Sequence, residues 1–109
     1  MPKKQRITRA DFIQLAKTSS KRYAGTYFTL TVSHISDDSA IKMACVVSKK
    51  VSKSAVVRNR IRRQCREIVR PILPRVSKPI SLVFYAKKDA IQASFVGLEM
   101  DVRTLLARV

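Results

Sequence analysis

Apolar positions along this chain change spacing from block to block, and those changes mark out its elements. Between Ala55 and Arg70, the residues Val57, Ile61, Cys65, Ile68 and Val69 share an arc of roughly 120° when placed at about 100° per residue. That spacing predicts an amphipathic helix, capped by Ser54 and ended near Arg70 by Pro71, whose ring cannot continue it simply. A second helical stripe, Phe95, Leu98, Val102, Leu105 and Leu106, follows a cap at Ser94. A third helix begins at Thr8, with Asp11 as a weak capping-box partner. It carries Phe12, Ile13, Leu15 and Ala16 and ends between Lys17 and Ser20.

Three or four runs read instead as strands. Tyr27–Ser33 and Ile41–Ser48 are β-branched and aromatic, and the turn His34–Ser39 between them predicts a hairpin. Ile80–Ala86 is a strongly apolar strand, and Lys21–Gly25 supplies a short edge strand. Pro71–Pro79 is a connector and Lys87–Ala93 a loop or short turn. The order is helix, two or three strands, helix, strand, helix, which predicts an α+β domain: one mixed sheet with helices packed on it. At 109 residues the chain is one domain, residues 1–109, with a flexible basic tail over about residues 1–7.

Charge changes the picture. Lys and Arg number 23 against 7 acids, a net +16, and such self-repulsion calls for a polyanion, most commonly nucleic acid. Half of that net charge lies in residues 49–70, which hold nine cations and one acid. On the predicted basic helix, Arg58, Arg60, Arg62, Arg63, Arg66 and Arg70 occupy the side opposite the apolar arc, with Asn59 among them. Arg58, Arg62, Arg66 and Arg70 form three successive like-charge pairs four residues apart, a cost of about 1 kcal/mol in total, offset only by Arg63 and Glu67. Arg58 and Arg60 also sit near the helix N-terminus, where the dipole favours anions. A solvated helix mixes its charges, so this one is arranged for phosphate. Guanidinium binds phosphate oxygens two at a time and stacks on bases, and Asn59 suits a 2′-hydroxyl or base edge, although an ordinary first-turn residue fits that position equally well. Lys49, Lys50 and Lys53, in the segment leading into the helix, extend the same anion site.

The run VSKKVSKSAVVRNRIRRQCRE resembles the protein subunit of bacterial ribonuclease P: a strand ending in Ser-Lys-Lys, then Ala55, Arg58-Asn59-Arg60, an aliphatic residue, and Arg62-Arg63. The likeness extends through Arg6-Ile7, Asp11-Phe12, Phe28 and Phe84-Tyr85-Ala86-Lys87-Lys88, nearly the whole chain. It implies a two-layer α/β sandwich with the left-handed β-α-β crossover of a ribosomal-protein domain. It also implies an enzyme that removes the 5′ leader of precursor tRNA, in which the RNA subunit with its Mg²⁺ is the catalyst. By position, Lys49, Lys50, Lys53, Arg58, Asn59, Arg60, Arg62, Arg63 and Arg66 are implied to bind the RNA subunit. Phe12, Phe28, Lys87 and Lys88 are implied to line the leader cleft, with an aromatic face stacking on an unpaired base. For Phe12 and Phe28 a plain core role is equally compatible with the sequence. Ala16 stands where many members carry a second aromatic, which implies a weaker leader grip there.

The remaining chemistry is sparse. The acids are dispersed apart from Asp37-Asp38, which the turn explains, and His34 is the only histidine, so no self-contained active site or protein-borne metal site is expected. Cys45 and Cys65 lie in apolar patterns without metal-ligand spacing and read as two buried thiols of a reducing compartment. No apolar run approaches a membrane span and no secretory leader is visible, so a cytoplasmic protein is expected. No organic cofactor, membrane or obligate protein partner is expected either; the partners implied are ribonuclease P RNA and precursor tRNA. The alternative reading is a ribosomal or ribosome-assembly RNA-binding protein. A DNA-binding regulator is a third, but no dimer heptad or helix-turn-helix spacing accompanies the basic helix.

Overall fold

The computed structural model describes residues 20–34, 42–72 and 80–109. The expected N-terminal tail and first helix, with Phe12 and Ala16, lie outside the described residues, as do the turn at Asp37-Asp38 and most of the connector before Pro79. The described elements are strands β1 (Ser20–Ala24), β2 (Phe28–His34), β3 (Lys42–Val46) and β4 (Ile80–Ala86), and helices α1 (Ala55–Val69) and α2 (Phe95–Ala107). A 3-10 turn, Lys88–Ile91, precedes α2.

Both helix starts are the ones the caps predict. Ser54 Oγ accepts from the Val57 N–H at 3.3 Å, and Ser94 Oγ accepts from the Gly97 N–H at 3.0 Å. α1 stops at Val69, two residues before Pro71. The last helix deviates in one respect: Leu98, Val102 and Leu105 are buried, but Phe95 leaves its stripe and is 39% exposed.

Strand order is β1-β2-β4-β3. The expected hairpin between β2 and β3 is therefore absent. β2 instead pairs antiparallel with β1 through the tight turn at Gly25, and β4 inserts between β2 and β3. The reason lies in burial. Ile80 to Phe84 are buried at every position, on both faces of the sheet, and a strand of that kind is stable only with neighbours on each side. β3 pairs parallel with β4, and the crossover between them is α1. Lys21–Gly25, expected as a possible edge strand, is a full partner of β2.

Registers Leu30↔Phe84, Val32↔Leu82 and Cys45↔Phe84 place these side chains on one face of the sheet, together with Phe28 and Met43. The buried positions of α1 (Ile61, Cys65, Ile68, Val69) and of α2 cover that face and complete one core. Phe28 and Phe84 meet edge to face, with centroids 6.1 Å apart. Cys45 of β3 and Cys65 of α1 are joined as a disulfide across this layer, with Cα atoms 6.5 Å apart. The expectation of two separate thiols is corrected. Linear spacing says nothing about a pair brought together by a crossover helix lying on the strand before it.

At one end of the sheet, the Gly25 turn is tied down from three directions. Asp101 of α2, 9% exposed, accepts from the N–H groups of Thr26, Tyr27 and Phe28 at 2.8, 2.9 and 2.9 Å. Lys87 Nζ donates to the Gly25 carbonyl at 2.6 Å. Arg108 donates to the Ala24 carbonyl at 3.4 Å and lies over the Tyr23 ring. A side chain at position 25 would place a Cβ 2.7 Å from both Asp101 oxygens, so the turn closes around glycine alone.

Candidate nucleic-acid interface

With its apolar arc spent on the core, α1 turns its arginines outward. No acidic residue sits in its first turn. Among the described residues, no carboxylate lies within 4.0 Å of any α1 arginine; the ion pair found there is Arg103–Glu99 on α2, at 3.9 Å. Even Arg63 and Glu67, the expected offsetting pair, are not in contact. Among the described residues, the guanidinium face thus meets no counter-charge.

Its members are held differently from one another. Arg58 Nη1 donates to the Ser52 carbonyl at 2.9 Å, and Arg60 Nη2 donates to the Ile91 carbonyl at 2.8 Å. Arg62 Nη2 reaches Asn59 Oδ1 at 2.7 Å, and Arg66 Nε reaches the Arg62 carbonyl at 3.3 Å. The side chains of Arg63 and Arg70 are exposed and make no hydrogen bond or ion pair among the described residues. An open groove of about 670 Å³ runs along this side between Val56, Asn59, Arg60, Arg63, Arg66 and Arg70, with Glu67 the one acid among its described lining residues. Arg70, absent from the motif-based set, belongs to it; its place in the four-residue arginine series was the signal.

A second basic concavity of about 900 Å³ adjoins the start of α1 and is lined by Lys49, Lys50, Val51, Ser52, Lys53 and Lys88. The segment folds into a turn (Val51 N–H to Ser48 carbonyl, 3.0 Å) whose buried Val51 anchors it while the three lysines remain exposed. Lys88 arrives from the 3-10 turn. Expected among the leader residues, it stands instead beside the lysines expected to bind the RNA subunit.

The other leader candidates separate. Phe28 is 0% exposed and lies on the helix-covered face of the sheet. A ring with no accessible face cannot stack on a base, so its placement in a cleft is corrected to a core role. Lys87 is half-buried and its ammonium is taken by Gly25. The opposite face of the sheet carries Thr29, Thr31, Val83 and Tyr85, since β2 and β4 alternate and pair Thr29 with Tyr85 and Thr31 with Val83. Tyr85, 38% exposed, is the aromatic on that side of these two strands. The alternation Leu82, Phe84 against Val83, Tyr85 could have revealed it. Among the described residues no cluster of three or more metal-ligating side chains occurs, and no helix is long and apolar enough to cross a membrane.

Among the described residues, a four-stranded mixed sheet with two helices on one face, one of them an arginine ridge that meets no carboxylate there, defines a small α/β domain built to meet a polyanion. The comparisons with known proteins narrow that class. The family model described as Ribonuclease P matches residues 1–109, and the chain belongs to that family. The ribonuclease P protein component of Pseudanabaena sp. is 32% identical, over 99% of this chain and 93% of its own length. That of Microcystis aeruginosa is 30% identical, over 99% and 92%. In fold, the chain is similar to the Staphylococcus aureus RNase P protein, with a TM-score of 0.83 at 22% identity over 95% of this chain and 94% of that one. The Thermotoga maritima protein superposes with a TM-score of 0.78 at 24% identity, over 93% of each chain. The family's role is maturation of the tRNA 5′ end, as the non-catalytic protein component of an endoribonuclease. Membership implies association with ribonuclease P RNA.

Proposed function

We propose that the α1 ridge and the lysine concavity bind ribonuclease P RNA and the 5′ leader of precursor tRNA, promoting removal of the leader by a catalyst that is the RNA subunit. One observation carries this reading: the guanidinium side of α1 has no carboxylate partner among the described residues, although the helix bears like charges along its whole length. Such a surface is destabilised by its own repulsion until phosphates neutralise it. Arg62, Arg63, Arg66 and Arg70, with Asn59, then face the folded RNA. The leader strand, single and flexible, follows Lys49, Lys50, Lys53 and Lys88 toward the end of β4 where Tyr85 is exposed. There Tyr85, in place of Phe28, offers a ring for an unpaired base. Mg²⁺ is held mainly by the RNA, and the complex acts in the cytoplasm.

Reconstitution with the cognate RNA at low Mg²⁺ tests this directly. The protein should stimulate cleavage of precursor tRNA, more so for a long leader than for a leader of one or two nucleotides. No stimulation at any protein concentration would overturn the reading.

A further inference from the structure

Both arginines of the Arg58-Asn59-Arg60 motif donate to backbone carbonyls outside the helix, and those carbonyls belong to the two arms that carry lysines. Arg58 holds Ser52, one residue before Lys53 in the turn that bears Lys49 and Lys50. Arg60 holds Ile91, at the end of the 3-10 turn that begins with Lys88. Both arginines are half-buried, whereas all four lysines are exposed.

We propose that Arg58 and Arg60 are positioning residues: each fixes one lysine-bearing arm to the first two turns of α1, and together they set the spacing of the four ammonium groups across the concavity. This rests on the RNA-binding reading above and assigns the motif a different part in it. The arms need such fixing. The 3-10 turn has one buried anchor, Ala90, and its closing hydrogen bonds are long, 3.4 Å for both Gln92 N–H to Asp89 carbonyl and Ala93 N–H to Ala90 carbonyl. The lysine turn likewise has one buried anchor, Val51. Four like charges around one concavity push its walls apart, and a short bond from a rigid helix to each wall opposes that. Helix and arms are thereby preorganised, so less ordering is left to be done when the polyanion binds.

Double-mutant cycles separate positioning from direct contact. Affinity for ribonuclease P RNA is measured at several salt concentrations for wild type, Arg60→Met, Lys88→Ala and the double variant. Methionine keeps an unbranched apolar stem and removes the donors. Arg60→Met should weaken binding about tenfold and lower the salt slope by about one phosphate, through the misplaced Lys88. In the Lys88→Ala background, Arg60→Met should change affinity less than about twofold and leave the slope unaltered. Equal losses in both backgrounds would show Arg60 to be a direct phosphate contact and overturn the proposal. Arg58→Met, with and without the three alanine substitutions at Lys49, Lys50 and Lys53, is read the same way. Arg60→Lys guards against a folding defect, because it keeps the charge and one donor. Near wild-type affinity is expected, and a loss as large as that of Arg60→Met would mean that the fork itself grips RNA. If wild type and all variants bound the RNA equally weakly, the RNA-binding reading itself would fail, a result distinct from additive losses.

Discussion

Replacing Asp101 by alanine should be among the most damaging single changes in the described part of the molecule. Its carboxylate accepts three backbone N–H groups, from Thr26, Tyr27 and Phe28, at 2.8–2.9 Å. Hydrogen bonds to a charged acceptor contribute about 1.5–3 kcal/mol each, and they are not additive here because they share one group. After truncation the Phe28 N–H is left inside the protein, at a cost of about 1–3 kcal/mol, while those of Thr26 and Tyr27 regain some water. A total of about 3–5 kcal/mol follows, a large part of the 5–15 kcal/mol typical of a whole domain. For a chain of this size that lowers Tm by about 15 °C or more. Asp101→Asn, which keeps the shape but aims an NH₂ at one of the donors, should cost roughly half as much. Thermal and urea unfolding followed by circular dichroism measure both. Gly25→Ala supplies the cross-check. Its Cβ would fall 2.7 Å from the two carboxylate oxygens and 2.8 Å from the Phe28 carbonyl. It should therefore destabilise the wild type strongly and the Asp101→Ala variant less, since two of the three close contacts have been removed. An Asp101→Ala protein melting within about 3 °C of wild type would refute the idea that this carboxylate holds the turn.

Other consequences are open to simple assays. Reducing Cys45–Cys65 with dithiothreitol opens a loop of about 20 residues and should lower stability by about 3 kcal/mol, whereas a double serine variant should melt at one temperature with or without reductant. Phe28→Ala should cost about 3–5 kcal/mol in urea unfolding and reduce cleavage of long-leader and short-leader substrates alike, because the ring is core; selective loss on long leaders would contradict its burial. If six to ten phosphates are engaged, affinity for ribonuclease P RNA should fall by about three to five orders of magnitude between 50 and 200 mM salt by the duplex-DNA slope, and somewhat less for single-stranded RNA. A filter-binding titration that proved flat with salt would exclude an electrostatic interface.

Local information in the chain was enough for every described element, because each depends on neighbours within a few residues. The period of Val57, Ile61 and Cys65 declares a helix, Ser54 and Ser94 declare where two helices begin, Pro71 where one ends, and the arginines opposite the apolar arc declare a face for phosphate. Resemblance over one 20-residue run supplied the family. What required the third dimension was everything that joins distant residues. β4 displaced the local β2–β3 hairpin because a strand apolar on both faces gains more by sitting centrally than two shorter strands gain by pairing. That choice set the face on which Phe28 lies, and so moved it from a binding role to the core and left Tyr85 on the outside. It also laid α1 over β3, which joined Cys45 to Cys65, and brought Lys88 beside Lys49 and Lys53 with Arg60 between helix and turn. Sequence periodicity tells which side of an element is buried; only the packed chain tells what that side is buried against.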